Sequence, residues 1–183
     1  QYGVRFYQNY HEMLGNHPEI DIVSVITPSG MHAEHAAEIL SIYGKSVVVE
    51  KPTFLGVQQA ENTFDIARKK SLDIFPVFQN RHNKAVRRVK RSINTGELGT
   101  IRLVSVRVRW CRAQSYYDLS EWRGTFSHDG GALTNQGIHH VDLLTYLGGE
   151  VSRVNSSMRT MGADIEVEDT VVASLEYEHG ALG

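Results

Sequence analysis

The chain has 183 residues, of which 41% are hydrophobic and 22% are charged, and its formal net charge is −2. These values are ordinary for a globular protein with one large domain or parts of two. They exclude a basic field for nucleic acid, and no apolar run is long enough to span a membrane. The single cysteine, Cys111, excludes an intrachain disulfide and fits a reducing compartment. We therefore expect a cytoplasmic protein with no nucleic-acid or membrane partner.

Helix and strand patterns alternate through residues 1–78. Helices are predicted at 10–15, 31–43 and 57–70, and strands at 20–26, 46–49 and 71–78. Alternation of this kind requires crossover connections and a parallel sheet. We interpret residues 1–78 as the second half of a doubly wound α/β domain.

The pattern changes after Phe78, where we place a domain boundary. The second part, residues 79–183, contains two predicted helices, 84–94 and 135–147, and three segments that alternate apolar and polar residues, 101–110, 151–160 and 169–177. Period-two alternation is typical of strands with one solvated face, so we expect an α+β domain with an open, mostly antiparallel sheet. An open face carrying valine and leucine would be exposed, and we expect it to mediate a homo-oligomer, a dimer or a tetramer.

The segment SVVVEKP, residues 46–52, contains three consecutive valines and predicts a strand that is buried on both faces. The strand ends at Glu50, Lys51 and Pro52. Open α/β sheets bind ligands beyond the carboxyl ends of their strands, and the proline biases Lys51 away from helical geometry. A solvated Glu–Lys pair is commoner in general, but the motifs in the rest of the chain favour a ligand site.

A second motif, GGALTNQGIHHVDLL, spans residues 130–144. Asn135 and His139 are four apart on a predicted helix and so share a face, and Asp142 is placed to orient the His139 imidazole. Histidine is a natural general base near neutral pH. A helix-capping asparagine followed by a structural histidine explains these residues equally well. The histidine pairs 32/35 and 139/140 lack a third ligand, so we expect no metal site.

These motifs together resemble the glucose–fructose oxidoreductase/inositol dehydrogenase/MocA (Gfo/Idh/MocA) family. The resemblance rests on TPSGMH, SVVVEKP, QNR at 79–81, INTGELGTIRLV and GGALTNQGIHHVDLLTYL, which occur in the family's order. It implies that residues 1–78 belong to a Rossmann domain for NAD(P), without its GxGxxG part. Residues 79–183 would form most of the C-terminal α+β domain. The family's EKP lysine corresponds to Lys51 and its helix histidine to His139, whereas Asn135 replaces the usual aspartate.

The stretch from Val106 to Leu144, with the later IEVEDT, is similar to UDP-N-acetylglucosaminuronate 3-dehydrogenases of bacterial surface-polysaccharide pathways. This similarity implies a nucleotide-sugar substrate whose C3 hydroxyl is oxidised to a ketone with NAD, and NADP is not excluded. Two alternatives stay open. One is another sugar or polyol substrate, such as inositol or a hexose, and the other is a regulator that senses the cofactor without turnover.

The resemblance also implies roles for individual residues. His139 is the expected base and Lys51 the group that stabilises the developing alkoxide, and the two roles are exchanged if burial lowers the lysine pKa far enough. The residues expected near the nicotinamide half of the cofactor are Thr27, Pro28, Glu50, Lys51, Trp122 and Arg123. Those expected near the sugar are Asn80, Arg81, Tyr117, Asn135 and His139. Arg81 suits a uronate carboxylate, and Trp122 and Tyr117 serve equally well as packing aromatics.

Overall fold

The computed structural model describes residues 3–183, so the first two residues of the predicted N-terminal part lie outside the described residues. Three short parallel strands form its first sheet, in the order β1 (Ile22–Val25), β2 (Ser46–Val49) and β3 (Ile74–Pro76). Helix α1 (Tyr10–Asn16) precedes β1, and the crossovers contain α2 (His32–Glu38) and α3 (Val57–Lys70). The prediction of an α/β unit with a parallel sheet is confirmed.

The predicted helix 31–43 is built from three consecutive helical segments of different pitch. A 3₁₀ turn, Ser29–Met31, precedes α2, and a π-helical turn, Ile39–Tyr43, follows it. Gly44 then adopts a left-handed conformation with φ 62° and ends the helical region. Glycine reaches this conformation without a steric penalty, so its position explains the stop.

The core of the first half lies on one face of the sheet. Val23 and Val25 of β1 are in register with Val47 and Val49 of β2, and all four are buried. Helices α1, α2 and α3 and the π-helical turn after α2 cover this face with Leu14, Ala36, Ile39, Leu40 and Ala67. The expectation that the valine strand is buried on both faces is wrong for the described residues. Val48 is only half-buried, because no described helix packs on the face that it shares with Ile22 and Phe75.

The second half contains a separate antiparallel pair of strands, β4 (Val151–Arg159) and β5 (Thr170–Tyr177). The helices of this half are α4 (Lys84–Asn94), the short α5 (Gln114–Tyr117) and α6 (Ile138–Gly148). The predicted helix 84–94 is confirmed. The predicted helix 135–147 is interrupted: a π-helical turn, Ala132–Gln136, ends at Gly137, and α6 begins with Ile138. The α+β character of this half is confirmed.

The predicted strand at 101–110 is wrong for the described residues. Only Leu103 forms a bridge, with Leu182, through hydrogen bonds from the Val104 N–H to the Leu182 carbonyl (2.9 Å) and from the Leu182 N–H to the Arg102 carbonyl (3.1 Å). Alternation predicted which side chains share a face, but a strand also requires a neighbouring backbone along its length. Residues 105–110 have no such neighbour among the described residues.

The open face of the β4–β5 pair is mostly polar, which corrects the expectation of an apolar patch. Pairs across the strands place Asn155 beside Ser174 and Ser157 beside Val172, so Val172 is the valine on this face. The opposite face is apolar. It lines a cavity of about 890 Å³ together with the 104–114 segment and α6, and the lining residues include Val154, Val171, Leu175, Val141 and Leu144.

The two halves meet closely at two glycines, Gly30 and Gly130. The Gly30 N–H donates to the His128 carbonyl (3.1 Å), and a Cβ at Gly30 would overlap the Ser127 carbonyl oxygen. At Gly130, which has φ 86°, a Cβ would lie 2.6 Å from the Leu55 side chain. The first contact involves the connection between β1 and β2, and the second involves the connection that follows β2. Both connections therefore lie against the loop before α6. Among residues 3–183, no helix is both long enough and apolar enough to cross a membrane.

Candidate active site

Lys51 connects the two halves of the molecule at the carboxyl end of β2. Its ammonium donates to the side-chain oxygen Oδ1 of Asn135 (2.9 Å) and to the Asn135 backbone carbonyl (3.2 Å). The contact bridges 84 positions of sequence and joins the parallel sheet to the π-helical turn before α6. The structure therefore brings together two of the residues that the sequence motifs singled out.

Asn135 is itself held by a buried carboxylate, Asp129. The Asn135 amide nitrogen Nδ2 donates to Asp129 Oδ1, and Asp129 Oδ2 accepts from the Gly124 N–H at 2.7 Å. Asp129 is 3% exposed and Asn135 6%. A carboxylate accepts only, so the amide must turn its NH₂ group to Asp129 and its oxygen to Lys51. The sequence motifs did not single out Asp129, although it directly precedes the glycine pair.

His139 lies on the first turn of α6, and its pKa is lowered by partial burial and by the positive charge of Lys51. Its ring nitrogen Nδ1 is buried and has no hydrogen-bond partner among the described residues. A lowered pKa keeps the imidazole neutral near pH 7, the form that accepts a proton. His140 faces elsewhere, with its ring edge-on to Trp110 at 5.5 Å between centroids.

The predicted Asp142–His139 interaction is wrong. Asp142 is buried and forms an ion pair with Arg81, whose Nε lies 2.8 Å from Oδ2 while Nη2 bonds Oδ1. A planar guanidinium matches both oxygens of a carboxylate, so it outcompetes a neutral imidazole for this buried group. Arg81 also stacks on Tyr146, with the guanidinium carbon 4.8 Å from the ring centroid.

The residues predicted near the sugar therefore do not all meet. Arg81 follows β3 in a 3₁₀ turn, Gln79–His82, and is bound to α6 through Asp142 rather than to Lys51 or Asn135. Asn80, in the same turn, accepts a long bond from the Asn83 amide (3.4 Å). Tyr117 is buried at the end of α5, and burial together with the charge of Asp129 raises its pKa.

The turns after β1 and β2 contain four of the six residues predicted near the cofactor: Thr27, Pro28, Glu50 and Lys51. His32, which is 1% exposed, connects these turns: Nε2 lies 2.8 Å from the Thr27 carbonyl oxygen and Nδ1 lies 2.8 Å from that of Pro52. Pro28 precedes the 3₁₀ turn at the start of the first crossover. The Glu50 carboxylate accepts from the Lys51 N–H at 2.8 Å. His32 was considered only as a metal ligand in the sequence, and its two backbone contacts show a positioning role instead.

Two arginines surround Tyr116 close to Lys51. The guanidinium carbon of Arg123 lies 4.4 Å from the ring centroid of Tyr116 and 4.8 Å from the ring centroid of Trp122. The guanidinium carbon of Arg112 lies 5.0 Å from the ring centroid of Tyr116. Neither arginine forms an ion pair with an acidic residue within residues 3–183. The Nε of Arg123 is a buried donor without a partner in the same range. This edge of the site is therefore positively charged.

Burial and charge oppose each other at Lys51. Partial burial is the largest influence and lowers its pKa below 10.5, and the charges of Arg123 and Arg112 lower it further. Glu50 and Asp129 raise it. The site thus combines a partly desolvated lysine with an imidazole whose pKa is lowered as well. Such a pair can remove a proton from a hydroxyl and stabilise the resulting oxyanion.

Comparison with known proteins identifies the family of the chain. Residues 1–78 match the model of an oxidoreductase family described as an NAD-binding Rossmann fold, and residues 86–183 match the GFO/IDH/MocA C-terminal domain. The chain belongs to the Gfo/Idh/MocA oxidoreductase family. The resemblance seen in the sequence motifs is confirmed.

Solved structures and curated relatives of this family are similar along the whole chain. The WlbA dehydrogenase of Bordetella pertussis, in complex with NADH and UDP-GlcNAcA, is 39% identical, with a TM-score of 0.94 over 99% of this chain and 52% of its own. Levoglucosan dehydrogenase of Pseudarthrobacter phenanthrenivorans is 29% identical over 91% of this chain and 48% of its own length. The NADP⁺-dependent scyllo-inositol 2-dehydrogenase IolW of Bacillus subtilis is 29% identical, over 91% and 45%. This Gfo/Idh/MocA chain spans about half the length of the curated relatives that it matches.

Proposed function

We propose that the whole protein is an NAD-dependent oxidoreductase that oxidises a sugar hydroxyl to a ketone. The observation that carries this proposal is the meeting of Lys51 with Asn135 and the electrostatic influence of Lys51 on His139, since these residues come from different halves of the chain. Lys51, just beyond the carboxyl end of a parallel strand, is placed where this fold type binds its ligands, and its charge acts on His139 of α6.

The proposed chemistry divides the work between the two groups. His139 accepts the hydroxyl proton, because its lowered pKa leaves it neutral near pH 7. Lys51 donates a hydrogen bond to the same oxygen and stabilises its developing negative charge. Asn135 holds the ammonium in place through two hydrogen bonds. Exchange of the two roles is the alternative, because burial also lowers the pKa of Lys51.

The surrounding residues fit the nicotinamide half of a dinucleotide. Within residues 3–183, Arg123 Nε is buried without a partner and neither Arg123 nor Arg112 has an acidic partner, which suits the anionic and hydrogen-bonding groups of such a ligand. NAD, when bound, accepts the hydride from the sugar carbon. The residues proposed to hold it are Thr27, Pro28, Glu50, Trp122 and Arg123. NADP is the alternative, and it is the cofactor named for IolW.

For the substrate, we propose a nucleotide-linked N-acetylglucosaminuronate, oxidised at C3 in a surface-polysaccharide pathway. Its support is the higher similarity to WlbA, at 39% identity and a TM-score of 0.94, than to levoglucosan dehydrogenase, at 26% and 0.80. Asn80, Arg81 and Tyr117 are proposed to contact the sugar. Asp142 already engages the Nε–H and one N–H of Nη2 of Arg81, so Nη1 and the second N–H of Nη2 are left for a uronate carboxylate.

The test is spectrophotometry of the full-length protein. We expect nicotinamide reduction with NAD and UDP-N-acetylglucosaminuronate, and much slower reduction with inositol, glucosides or levoglucosan. Lys51→Met and His139→Asn should each lower turnover by about 100- to 10,000-fold. Lys69→Met, at an exposed site on α3, is the matched control and should keep the wild-type rate.

Two outcomes would contradict the proposal in different ways. Faster reduction with inositol or a hexose would keep the dehydrogenase and replace the substrate. Tight cofactor binding with no turnover on any of these sugars would instead support the cofactor-sensing regulator.

A further inference from the structure

The buried carboxylate of Asp129 contacts Asn135, and the proposed chemistry does not use it. It is 3% exposed, so its charge requires compensation within the protein. The structure supplies the Gly124 N–H at 2.7 Å and the Asn135 amide. Both are neutral donors. The positively charged group, the Lys51 ammonium, is reached through Asn135, whose side-chain oxygen accepts a hydrogen bond from it at 2.9 Å.

We propose that Asp129 is a positioning residue for Lys51, acting through Asn135. Its carboxylate fixes the orientation of the Asn135 amide, so that Oδ1 and not Nδ2 faces the ammonium. An amide turned the other way would present donors to a donor and would repel Lys51. Together with Glu50, Asp129 also supplies negative charge near the lysine, and its carboxylate, the Asn135 amide and the ammonium form one series of contacts. The identity of the reaction in this inference rests on the proposed function.

Two further observations agree with this assignment. The charge of Asp129 raises the pKa of Lys51 against the lowering effect of burial, so the two groups interact electrostatically across the amide. The loop before the π-helical turn is also anchored independently, since the Asp129 and Gly130 N–H groups both donate to the Thr125 carbonyl, at 3.1 and 3.2 Å. The carboxylate is therefore not the only group that closes this turn.

The decisive experiment moves the carboxylate along the chain of contacts. In the full-length protein we compare Asp129→Asn, the double variant Asp129→Asn/Asn135→Asp, and the control Asp73→Asn, at an exposed site remote from Lys51. Asp129→Asn removes the negative charge at position 129 and one of the two side-chain oxygens that accept hydrogen bonds there. The double variant restores a carboxylate, now in direct contact with the lysine, while the amide introduced at position 129 can donate to it.

The first readout needs no substrate. Lys51 is titrated by its pH-dependent acetylation with acetic anhydride, followed by peptide mass spectrometry. We expect Asp129→Asn to lower the pKa of Lys51 further, because the negative charge that raises this pKa is lost. The double variant should raise the pKa of Lys51 again. Asp73→Asn should titrate like the wild type. An unchanged Lys51 titration in Asp129→Asn would overturn the inference.

The second readout is steady-state kinetics. Asp129→Asn should lower kcat by about 10- to 100-fold, the usual effect of losing a residue that orients a catalytic group. KM should stay nearly constant, because Asp129 does not touch the substrate. The double variant should recover most of the loss. A purely structural role would lower the stability of Asp129→Asn but leave its kcat per folded molecule unchanged, and that result contradicts the proposal.

The two proposals fail separately. A wild-type protein without dehydrogenase activity, but with a Lys51 titration that follows the carboxylate, would remove the proposed function and keep the positioning role. If Asp129→Asn does not fold, Asn135→Leu keeps the buried carboxylate and breaks the chain. That variant should lose turnover to a similar extent, and wild-type turnover in it would overturn the inference.

Discussion

At the residue scale, the site depends on how burial and charge act on two titratable groups. The pKa of His139 is lowered first by burial and then by the neighbouring Lys51, while burial also lowers the pKa of Lys51. One group must be neutral and the other charged for the proposed chemistry. The lowered pKa of the histidine favours its neutral form, and the carboxylates of Glu50 and Asp129 favour the charged form of the lysine.

These shifts predict the pH dependence of the full-length protein. Activity should rise as His139 loses its proton and fall as Lys51 loses its own. Both limbs of the kcat/KM profile should therefore lie at lower pH than for free side chains, with midpoints below 6.5 and below 10.5. The residual activity of His139→Asn should lack the acid limb, and that of Lys51→Arg the alkaline limb. An acid limb that persists in His139→Asn would show that another group is the base.

The Arg81–Asp142 pair gives a stability prediction at the same scale. Asp142 has a side chain only 5% exposed, so Arg81→Gln would leave a buried carboxylate without its cation. We expect a loss of about 3 kcal/mol in the free energy of unfolding by urea denaturation. The control is Arg88→Gln, whose ion pair with Glu97 has both side chains more than half exposed. It should cost less than about 1 kcal/mol. Equal losses in both variants would contradict the buried-pair assignment.

At the element scale, the position of the first crossover depends on a close contact with the loop before α6. Gly30 donates to the His128 carbonyl and lies against Ser127 with no room for a side chain. The same turn contains Thr27 and Pro28, and His32 connects it to the turn after β2. Displacement of this turn would therefore move both proposed cofactor segments relative to α6.

Substitution of Gly30 tests this contact. Gly30→Ala should force the two backbones apart and destabilise the full-length protein by about 1–3 kcal/mol, the usual cost of overpacking. It should also weaken cofactor binding, measured by calorimetry. Gly15→Ala is the matched control, because nothing lies within 4 Å of a Cβ at this position of α1. Since alanine favours helix over glycine, this control should be neutral or stabilising. Wild-type stability in Gly30→Ala would show that the contact is dispensable.

At the scale of the whole molecule, the chain exposes more surface than a compact protein of its mass. Its accessible area is 12059 Å², whereas a compact monomer of 20.6 kDa exposes about 8,900 Å². Exposed apolar side chains such as Ile26, Leu103 and Trp110 contribute to the difference. This surface suits contacts with further polypeptide or with a second copy of the chain.

We keep the proposal that the full-length protein is a homo-oligomer, a dimer or a tetramer, built through the open face of the β4–β5 sheet. Because that face is mostly polar, hydrogen bonds and Val172, which is 72% exposed, would have to provide the contact. Val172→Glu should therefore shift the mass measured by light scattering towards the monomer. Val57→Glu, at a site 77% exposed on α3, should leave the mass unchanged. A monomeric wild type at micromolar concentration would refute the proposal.

The sequence by itself determined the local features of this protein and its family. The alternation of elements predicted the parallel sheet, and helix α4 was predicted with its observed bounds. Lys51 was singled out at the end of the valine strand, and Asn135 and His139 by their helical spacing. The order of the motifs then identified the family, which the family models confirm. Hydrophobic periodicity and stop signals are short-range properties of the chain, so they can be recognised without knowledge of distant contacts.

Only the tertiary structure decided which partners these residues have. Asp142 is three positions from His139, yet it binds Arg81, which is 61 positions away, because a buried carboxylate takes the best available donor wherever the fold places it. Residues 105–110 alternate like a strand but lack a neighbouring backbone among the described residues. Asp129 gave no signal in the sequence, because its importance arises from its contact with the Asn135 amide and, through that amide, from Lys51 beyond the end of β2 in the other half of the chain. Long-range contacts set these choices, and local patterns do not contain them.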